Sequence, residues 1–337
     1  MDEKPRATLA DVAAAAGVSK MTASRALRGA RDVSSANIEK VRQAAKIVGY
    51  VGNHLASALS GQRSNLIGVV VPSLTNIVFA EVLAGIAAGI GGSRMQPVFG
   101  VTDYNLDTEY DIIRNMLSWS PAGLIVTGLD QADNTKDLLK TADIPIVQIM
   151  DTDGTPGDAC VGFSHRAAGA AMADALIGLG RRRIGYVGCN LTKDTRARKR
   201  LDGFKSTLAD RGHTLALEII HDMPSAIAEG RALTARALTE KPDLDAIFYS
   251  NDDLAAGAAF HCLSHGIDAP GSLQLAGFNG LDLVESLPVS ILTSKTPRRQ
   301  IGENAARHIV DASGGRAPSQ APITQYTAPI IVAAKGV

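Results

Sequence analysis

The sequence contains few aromatic residues, few cysteines and no long apolar run. Only 4% of its 337 residues are aromatic, so its cores must be built mainly from Ala, Leu, Ile and Val. Cys160, Cys189 and Cys262 are odd in number and never in C-x-x-C spacing, which excludes a disulfide framework or zinc knuckle. No segment approaches the roughly 18 apolar residues of a membrane span, and the N-terminus lacks a signal-peptide pattern. We therefore expect a cytoplasmic protein with no membrane contact.

The chain also has a formal net charge of zero, because 34 Lys and Arg balance 34 Asp and Glu. A neutral chain would argue against a polyanionic partner, but the charge is unevenly distributed. Residues 1–64 hold ten basic and five acidic residues, and the remainder is correspondingly acidic. This asymmetry is typical of a nucleic-acid-binding arm on an acidic body, although a solvated helical face would also produce it. The length predicts two or three domains.

The first 50 residues have the pattern of three short helices. Thr8 is a candidate N-cap for the first helix, which ends at Gly17. Ser19 is the candidate cap of a second helix, from Lys20 to Arg28, and Ser34 or Ser35 precedes a third. Two helices joined by a tight glycine-containing turn are typical of a helix-turn-helix.

The second helix has the side chains that a recognition helix requires at its N-terminal end. Lys20 and Arg25 can contact guanine edges in the major groove, and Met21 can contact a thymine methyl group. Small polar side chains nearby can hold phosphates: Ser19, Thr22, Ser24 and Asn37. Any one of these residues could equally lie on a solvated helix surface, so the prediction depends on the set.

From Leu66 onwards, apolar β-branched runs alternate with helical periods. The expected strands are 66–71, 96–101, 123–127, 145–150, 182–188, 245–250 and 273–278, and the expected helices between them are 80–91, 106–119, 166–179, 197–211, 226–240 and 252–265. Runs that are apolar throughout indicate parallel strands covered on both faces. The predicted body is therefore α/β, with two similar doubly wound parallel-sheet subdomains.

Polar side chains follow several of these strands, where doubly wound sheets bind their ligands. Carboxylates and amides can pair with sugar hydroxyls, and an aromatic ring can cover sugar CH groups. The candidate ligand-binding residues are Ser73, Leu74, Phe79, Asp151, Arg198, Arg200, Asn251, Asp252 and Asn279. Any acid after a strand could instead cap a helix, Asp252 in particular.

The strings TLADVAAAAGVSKMTASRALRG (8–29) and VSSANIEKVRQAAKIVGYVGNHLASALSG (33–61) closely resemble the head of the lactose-repressor (LacI/GalR) family of bacterial transcription regulators. The resemblance implies that Lys20 and Met21 choose the operator and that Arg25 contacts a base. It also implies a hinge that becomes helical on DNA and inserts Leu59 into the minor groove. With the caps and backbone contacts, the candidate DNA-binding residues are Thr8, Ser19, Lys20, Met21, Thr22, Ser24, Arg25, Arg28, Ser34, Asn37, Tyr50, Asn53 and Leu59.

The resemblance continues to about residue 330 and implies a periplasmic-binding-protein-like body. It divides the chain into a helix-turn-helix domain (1–52), a hinge (53–64) and an effector-binding and dimerisation domain (65–337). The two subdomains of the body would be 65–163 with 294–323, and 164–293 with 324–337.

The family's effector positions match candidates already named, with two departures. Asn279 stands where the family usually has Asp, and Arg298 stands where sugar-binding members often have an aromatic residue. Both changes favour an anion, and Arg200 with Arg298 could form a fork for a carboxylate. Alternatively, Arg298 caps or pairs on a surface helix.

Four longer strings are similar to the gluconate-utilisation repressors of this family: VVPSLTNIVFAEVLAGI (70–86), LSWSPAGLIVT (117–127), VGFSHRAAG (161–169) and NDDLAAGAAFHC (251–262). SKMTASR in the head is similar to them too. The resemblance implies a homodimeric repressor that binds double-stranded operator DNA and responds to gluconate or a related sugar acid. His165 and the arginine-rich KDTRARKR segment depart from this subgroup.

Three alternatives lead to different functions. A regulator of the same family could respond to a neutral sugar. A solute-binding protein could share the body fold, but it would need an export signal and no DNA-binding head. A sugar-converting enzyme using Asp151 and Asp252 lacks support, because no P-loop, G-x-S-x-G or H-E-x-x-H motif is present. His261 and His265 lack a third metal ligand in sequence, so we predict no metal, cofactor or enzymatic activity.

Overall fold

The computed structural model of the chain describes residues 7–27, 30, 32–50, 63–315 and 323–333. The described residues form two compact units, divided between Ser64 and Asn65, which we call the head and the body. Among the described residues, no helix combines the length and apolar character needed to cross a bilayer.

The head contains three helices: α1 (Leu9–Ala16), α2 (Lys20–Leu27) and α3 (Ser35–Val48). Its core consists largely of small side chains, among them Ala13, Ala23 and Ala44, packed around Val12 and Val41. Gly17 and Gly49 end α1 and α3 in the left-handed conformation, as expected for C-terminal caps. The predicted three-helix head is confirmed.

Two six-stranded sheets form the body, and their strands are β1 (Leu66–Val71), β2 (Gln96–Val101), β3 (Gly123–Thr127), β4 (Ile146–Ile149), β5 (Ala159–Phe163), β6 (Ile184–Cys189), β7 (Leu217–His221), β8 (Ala246–Tyr249), β9 (Gln274–Asn279), β10 (Ile291–Lys295), β11 (Ile323–Tyr326) and β12 (Ile330–Ala333). The first sheet has the order β11-β5-β4-β3-β1-β2, and the second β12-β10-β9-β8-β6-β7. The strand pairs are parallel except that between β10 and β12. The predicted pair of parallel-sheet subdomains is therefore confirmed.

The helices of the body cover both sheets, and they are α4 (Ile77–Gly89), α5 (Leu106–Leu117), α6 (Asp133–Thr141), α7 (His165–Gly178), α8 (Thr195–Asp210), α9 (Ile227–Glu240), α10 (Asp252–His265), α11 (Asp282–Glu285) and α12 (Arg298–Ser313). Helices α4 and α12 pack together on the first sheet, while α7–α8 and α9–α10 form pairs against the second. Each of these three pairs crosses where a glycine meets the partner backbone, which lets the helix axes approach closely.

The chain passes between the sheets after β5, after β10 and after β11. Strand β11 pairs with β5, so residues 324–326 belong to the first subdomain, and the predicted assignment of 324–337 to the second is wrong for them. The short strands β5, β7, β10, β11 and β12 were not predicted, because each gives too brief an apolar signal to separate it from a loop.

Candidate functional site

The helices of the head begin at side-chain caps. The Asp11 carboxylate accepts a hydrogen bond from Thr8 N at 2.8 Å, and this bond lowers the pKa of Asp11. Ser19 Oγ accepts from Thr22 N at 3.0 Å, and Ser34 caps α3 in the same way. Thr8, Ser19 and Ser34 therefore stabilise helix ends, whatever contact they make with phosphate.

The start of α2 presents its side chains to solvent. Met21 is 71% exposed, Lys20 is exposed, and Arg25 forms an ion pair with Asp32. An exposed methionine on a helix that buries Ala23 and Ala26 has no role in the core of the head. Four further candidates are partly buried: Thr22, Ser24, Asn37 and Tyr50. Arg28, Asn53, Leu59 and residues 53–62 of the predicted hinge lie outside the described residues.

A cleft of about 530 Å³ lies in the body at the carboxyl ends of strands from both sheets. Ser73, Asn76 and Tyr104 line it from the first sheet, and Asn190, Asp194, Asn251 and Asp253 line it from the second. A smaller adjoining cavity lies deeper and is lined by Asn76, Val78, Phe79, Tyr104, Met150, Phe163, His165, Asp194, Arg196, Arg200, Asn251, Phe278 and Asn279. Five of the predicted effector residues therefore line one of these two spaces: Ser73, Phe79, Arg200, Asn251 and Asn279.

Arg200 lies at the inner cavity with only 6% of its surface exposed. Its Nη1 donates to His165 Nδ1 at 3.0 Å and its Nη2 donates to the Ser250 carbonyl at 2.9 Å. The guanidinium carbon lies 4.0 Å from the centre of the Phe278 ring. Buried Nε has no partner among the described residues. Arg200 thus enters the cavity with one donor unused.

His165 joins Arg200 to the first sheet. Because arginine only donates, Nδ1 of His165 must accept, so Nε2–H donates to the Met150 carbonyl at 2.8 Å. Burial lowers the pKa of His165 well below its usual range, and the nearby Arg200 charge lowers it further. This histidine is therefore neutral and orients the Arg200 guanidinium.

Arg196, which is not among the predicted effector residues, lies one turn before Arg200 and lines the same cavity. Arg198, which is among them, is exposed, and its guanidinium donates to the Leu191 carbonyl. Helical phase explains the difference, because residues four apart share a face of α8 and residues two apart do not.

Asp151 is fully buried and bonds to Lys199 Nζ at 2.6 Å. The same ammonium group lies 2.7 Å from Asp130 Oδ2. Burial raises the pKa of Asp151, and the hydrogen bond from Lys199 opposes that rise. Asp151 follows β4 and Lys199 lies on α8, so this ion triad joins the two subdomains. The structure thus places Asp151 in an interdomain contact.

Asp252 is also turned into the protein. Its carboxylate accepts from Leu281 N at 2.8 Å and from Thr293 Oγ1 at 2.7 Å, and burial raises its pKa to about 6. The neighbouring Asp253 lines the cleft instead. Asn251 caps α10 through Leu254 N and still borders both spaces.

Arg298 does not form the predicted fork with Arg200. It is 5% exposed and makes a bidentate ion pair with Glu81, with both N–O distances 2.9 Å. Its Nη1 also donates to the carbonyl of Asn279, whose φ of 123° is rare for a residue with a side chain. Arg298 therefore holds the backbone beside the cavity. The alternative, that it caps or pairs on a surface helix, agrees with its ion pair but not with its burial. Leu74, a further candidate, is 53% exposed and does not line either of the two spaces described above.

Glu109 on α5 lines another small cavity, which it shares with Tyr104, Thr127, Gln131 and Arg196. It is 9% exposed, and its buried Oε1 has no partner among the described residues. Burial raises the pKa of Glu109 to about 7, although the Arg196 charge opposes this. The folded protein therefore keeps a proton at pH values where the unfolded chain has lost it.

Glu109→Gln is expected to stabilise the protein at pH 8 and leave it nearly unchanged at pH 4.5. Stability of the wild type falls as pH rises from about 4.5 to 7, because the folded-state pKa is the higher one, and the loss reaches about 3 kcal/mol. Thermal unfolding from pH 4.5 to 8 measures the effect, with the exposed Glu240→Gln as control. Equal shifts of Glu109→Gln at both ends of the range would contradict it. The stability of Glu109→Gln should still fall somewhat as pH rises, because burial also raises the pKa of Asp252.

The chain matches family models over both units. Residues 8–53 match the bacterial regulatory proteins of the lacI family, and residues 64–329 match the periplasmic binding proteins and sugar binding domain of the LacI family.

Similar proteins extend over nearly the full chain. HTH-type transcriptional regulator GntR of Pseudomonas aeruginosa is 38% identical, over 92% of this chain and 90% of that protein. GntR of Escherichia coli K12 is 35% identical, over 91% and 92% respectively. A crystal structure of a LacI-family transcriptional regulator from Silicibacter pomeroyi superposes with a TM-score of 0.92 at 43% identity, covering 97% of this chain and 98% of the other. The chain therefore belongs to the LacI family of transcriptional regulators, as its sequence motifs predict.

Proposed function

We propose that this regulator is a repressor whose operator binding is controlled by gluconate or a related sugar acid. The observation that carries the proposal is Arg200, a buried cation with an unused donor in a cavity bordered by Asn251 and Asn279. Amide side chains suit hydroxyl groups, and a buried guanidinium requires an anion. The resemblance to gluconate-utilisation repressors supports the same class of ligand.

The experiment uses the purified full-length protein and an operator obtained by in vitro selection from random duplexes. Fluorescence anisotropy of the labelled operator is recorded with gluconate, with glucose and with sorbitol. We expect gluconate alone to change the operator Kd, and the direction of change distinguishes an inducer from a corepressor. A larger response to glucose would favour the second candidate, a neutral-sugar regulator, which the amides of the cleft would also suit.

We further propose that the protein acts as a homodimer on a two-half-site operator. Large apolar side chains are exposed on the edge strands β2 and β7 and on α9 and α10: Phe99, Ile220, Ile227, Phe260 and Leu263. Burial of such side chains against a second copy would stabilise the assembly. Sedimentation velocity at micromolar concentration should give a dimer, and monomer alone would contradict the proposal.

Lys20→Ala and Met21→Ala are each expected to change operator choice. Each side chain is exposed at the start of α2, and loss of a base contact costs about 1–3 kcal/mol at one base-pair position. Selection of preferred duplexes for each variant measures the change. Lys140→Ala, which removes an exposed lysine from the body, is the control. Unchanged sequence preference with uniformly weaker binding would instead assign Lys20 to a phosphate.

A further inference from the structure

Helix α8 places two arginines, Arg196 and Arg200, at the same cavity one helical turn apart. Phe79 covers one side of this pair, with the Arg196 guanidinium carbon 5.5 Å from its ring centre. The helix itself brings the two cations together, because residues four apart share one face of a helix.

The two charges of this pair are compensated to different extents: nearby acids raise the pKa of Arg196 despite its burial, whereas burial lowers the pKa of Arg200. Arg196 has one ion pair among the described residues, with Asp194 at a long 3.7 Å, and Arg200 has none. The partners of Arg200 are neutral: an imidazole, a carbonyl and an aromatic face. Burying the Arg200 cation without a close anion is costly, so this end of the pair favours a negative charge from outside the chain.

Two donors remain unused at the pair. Arg196 Nη1 and Arg200 Nε are both buried and have no hydrogen-bond partner among the described residues. Two N–H groups suit the two oxygens of one carboxylate. Asp194 lines the same cavity, and Asp253 lines the adjoining cleft. Their negative charges oppose a dianion such as a phosphate monoester more strongly than a monoanion.

We propose that Arg196 and Arg200 together bind the carboxylate of the effector, and that Arg196 is the residue that separates a sugar acid from the neutral sugar of the same skeleton. The proposal rests on the proposed function and adds the anion site to it. The ligand class is a monoanionic sugar acid whose hydroxyls meet Asn251 and Asn279. Arg298, held by Glu81, takes no part.

The test is isothermal titration of full-length wild type and variants with gluconate, glucose and 6-phosphogluconate. Arg196→Gln is expected to weaken gluconate binding about 10- to 100-fold, as loss of a charged hydrogen bond does. Arg196→Lys keeps the positive charge but loses the forked guanidinium, so its gluconate affinity should lie between those of the wild type and Arg196→Gln. Arg198→Gln, an identical change two residues along the same helix, should bind gluconate like the wild type. Thermal unfolding without ligand shows whether each variant is folded. If Arg196→Gln does not fold, the gluconate affinity of Arg196→Lys is compared with that of the wild type instead.

The outcomes separate the two proposals. If the wild type binds gluconate and Arg196→Gln binds it within twofold, the arginine pair is overturned and the proposed function stands. If the wild type binds 6-phosphogluconate more tightly than gluconate, the monoanion assignment is overturned. If the wild type binds glucose more tightly than gluconate, or binds none of the three ligands, both proposals fail.

Discussion

Lys199→Met is expected to lower the free energy of unfolding by about 3–5 kcal/mol at pH 7, because it removes the cation that compensates a fully buried carboxylate. Methionine keeps an unbranched apolar side chain of similar length, so packing changes little. Asp151, fully buried, would lose its 2.6 Å partner, and the half-buried Asp130 would lose its 2.7 Å partner. A protein of this size should then unfold roughly 10 °C lower.

The loss of stability caused by Lys199→Met should become smaller as pH falls. Burial already raises the pKa of Asp151, and removal of Lys199 raises it further, because the opposing hydrogen bond disappears. The unpaired carboxylate can take up a proton as pH falls, so the difference between variant and wild type should shrink towards pH 5. Thermal unfolding across this range measures both effects.

Lys205→Met provides the matched control on the same helix. Lys205 Nζ lies 2.7 Å from Glu218 Oε2, a distance like those of Lys199, but both partners are substantially exposed. Exposed pairs contribute at most about 1 kcal/mol, so this variant should unfold close to the wild type. Equal destabilisation by the two substitutions would show that burial of Asp151 is not the cause.

The sequence allowed the fold to be predicted more fully than the site. Runs such as 66–71 and 123–127 are apolar throughout, a pattern typical of buried parallel strands, and most central strands were predicted within two residues. Edge strand β7 was missed because its burial alternates with polar exposure over five residues. The hydrophobic pattern of a segment does not show which sheet a strand near the C-terminus joins. For that reason most of β11 was assigned to the wrong subdomain.

Within the site, half of the predicted effector residues line the two spaces, and the orientation of the others was beyond the sequence. Asp252 and Asp253 are adjacent, and only the positions of Leu281 and Thr293 decide that the first points inwards. Arg298 was predicted as an anion ligand because Glu81, 217 residues away in sequence, could not be known to face it. Arg196 could have been found, since i and i+4 residues share a helix face and Arg200 was already a candidate.

Gly169→Ala is expected to lower both the stability of the fold and the affinity of the proposed effector site. An added Cβ at Gly169 would lie 2.0 Å from the Arg200 carbonyl oxygen and 2.9 Å from Phe204 N. Both atoms are helical backbone, so α7 and α8 must move apart, with an expected loss of about 3 kcal/mol or more. The displaced carbonyl is that of Arg200 itself. His165, whose Nδ1 lies 3.0 Å from Arg200 Nη1, is the first residue of α7, so a shift of either helix also disturbs this hydrogen bond.

We therefore expect Gly169→Ala to lower the melting temperature and to weaken sugar-acid binding, although residue 169 does not line the cavity. Gly178→Ala, at the end of the same helix, is the control, because an added Cβ there meets no atom within 4 Å. In a helix, alanine is favoured over glycine by up to about 1 kcal/mol, so Gly178→Ala should be neutral or stabilising. Thermal unfolding and gluconate titration of both variants give the comparison. If both alanines gave the same melting temperature, the close approach of α7 and α8 would not be what positions Arg200.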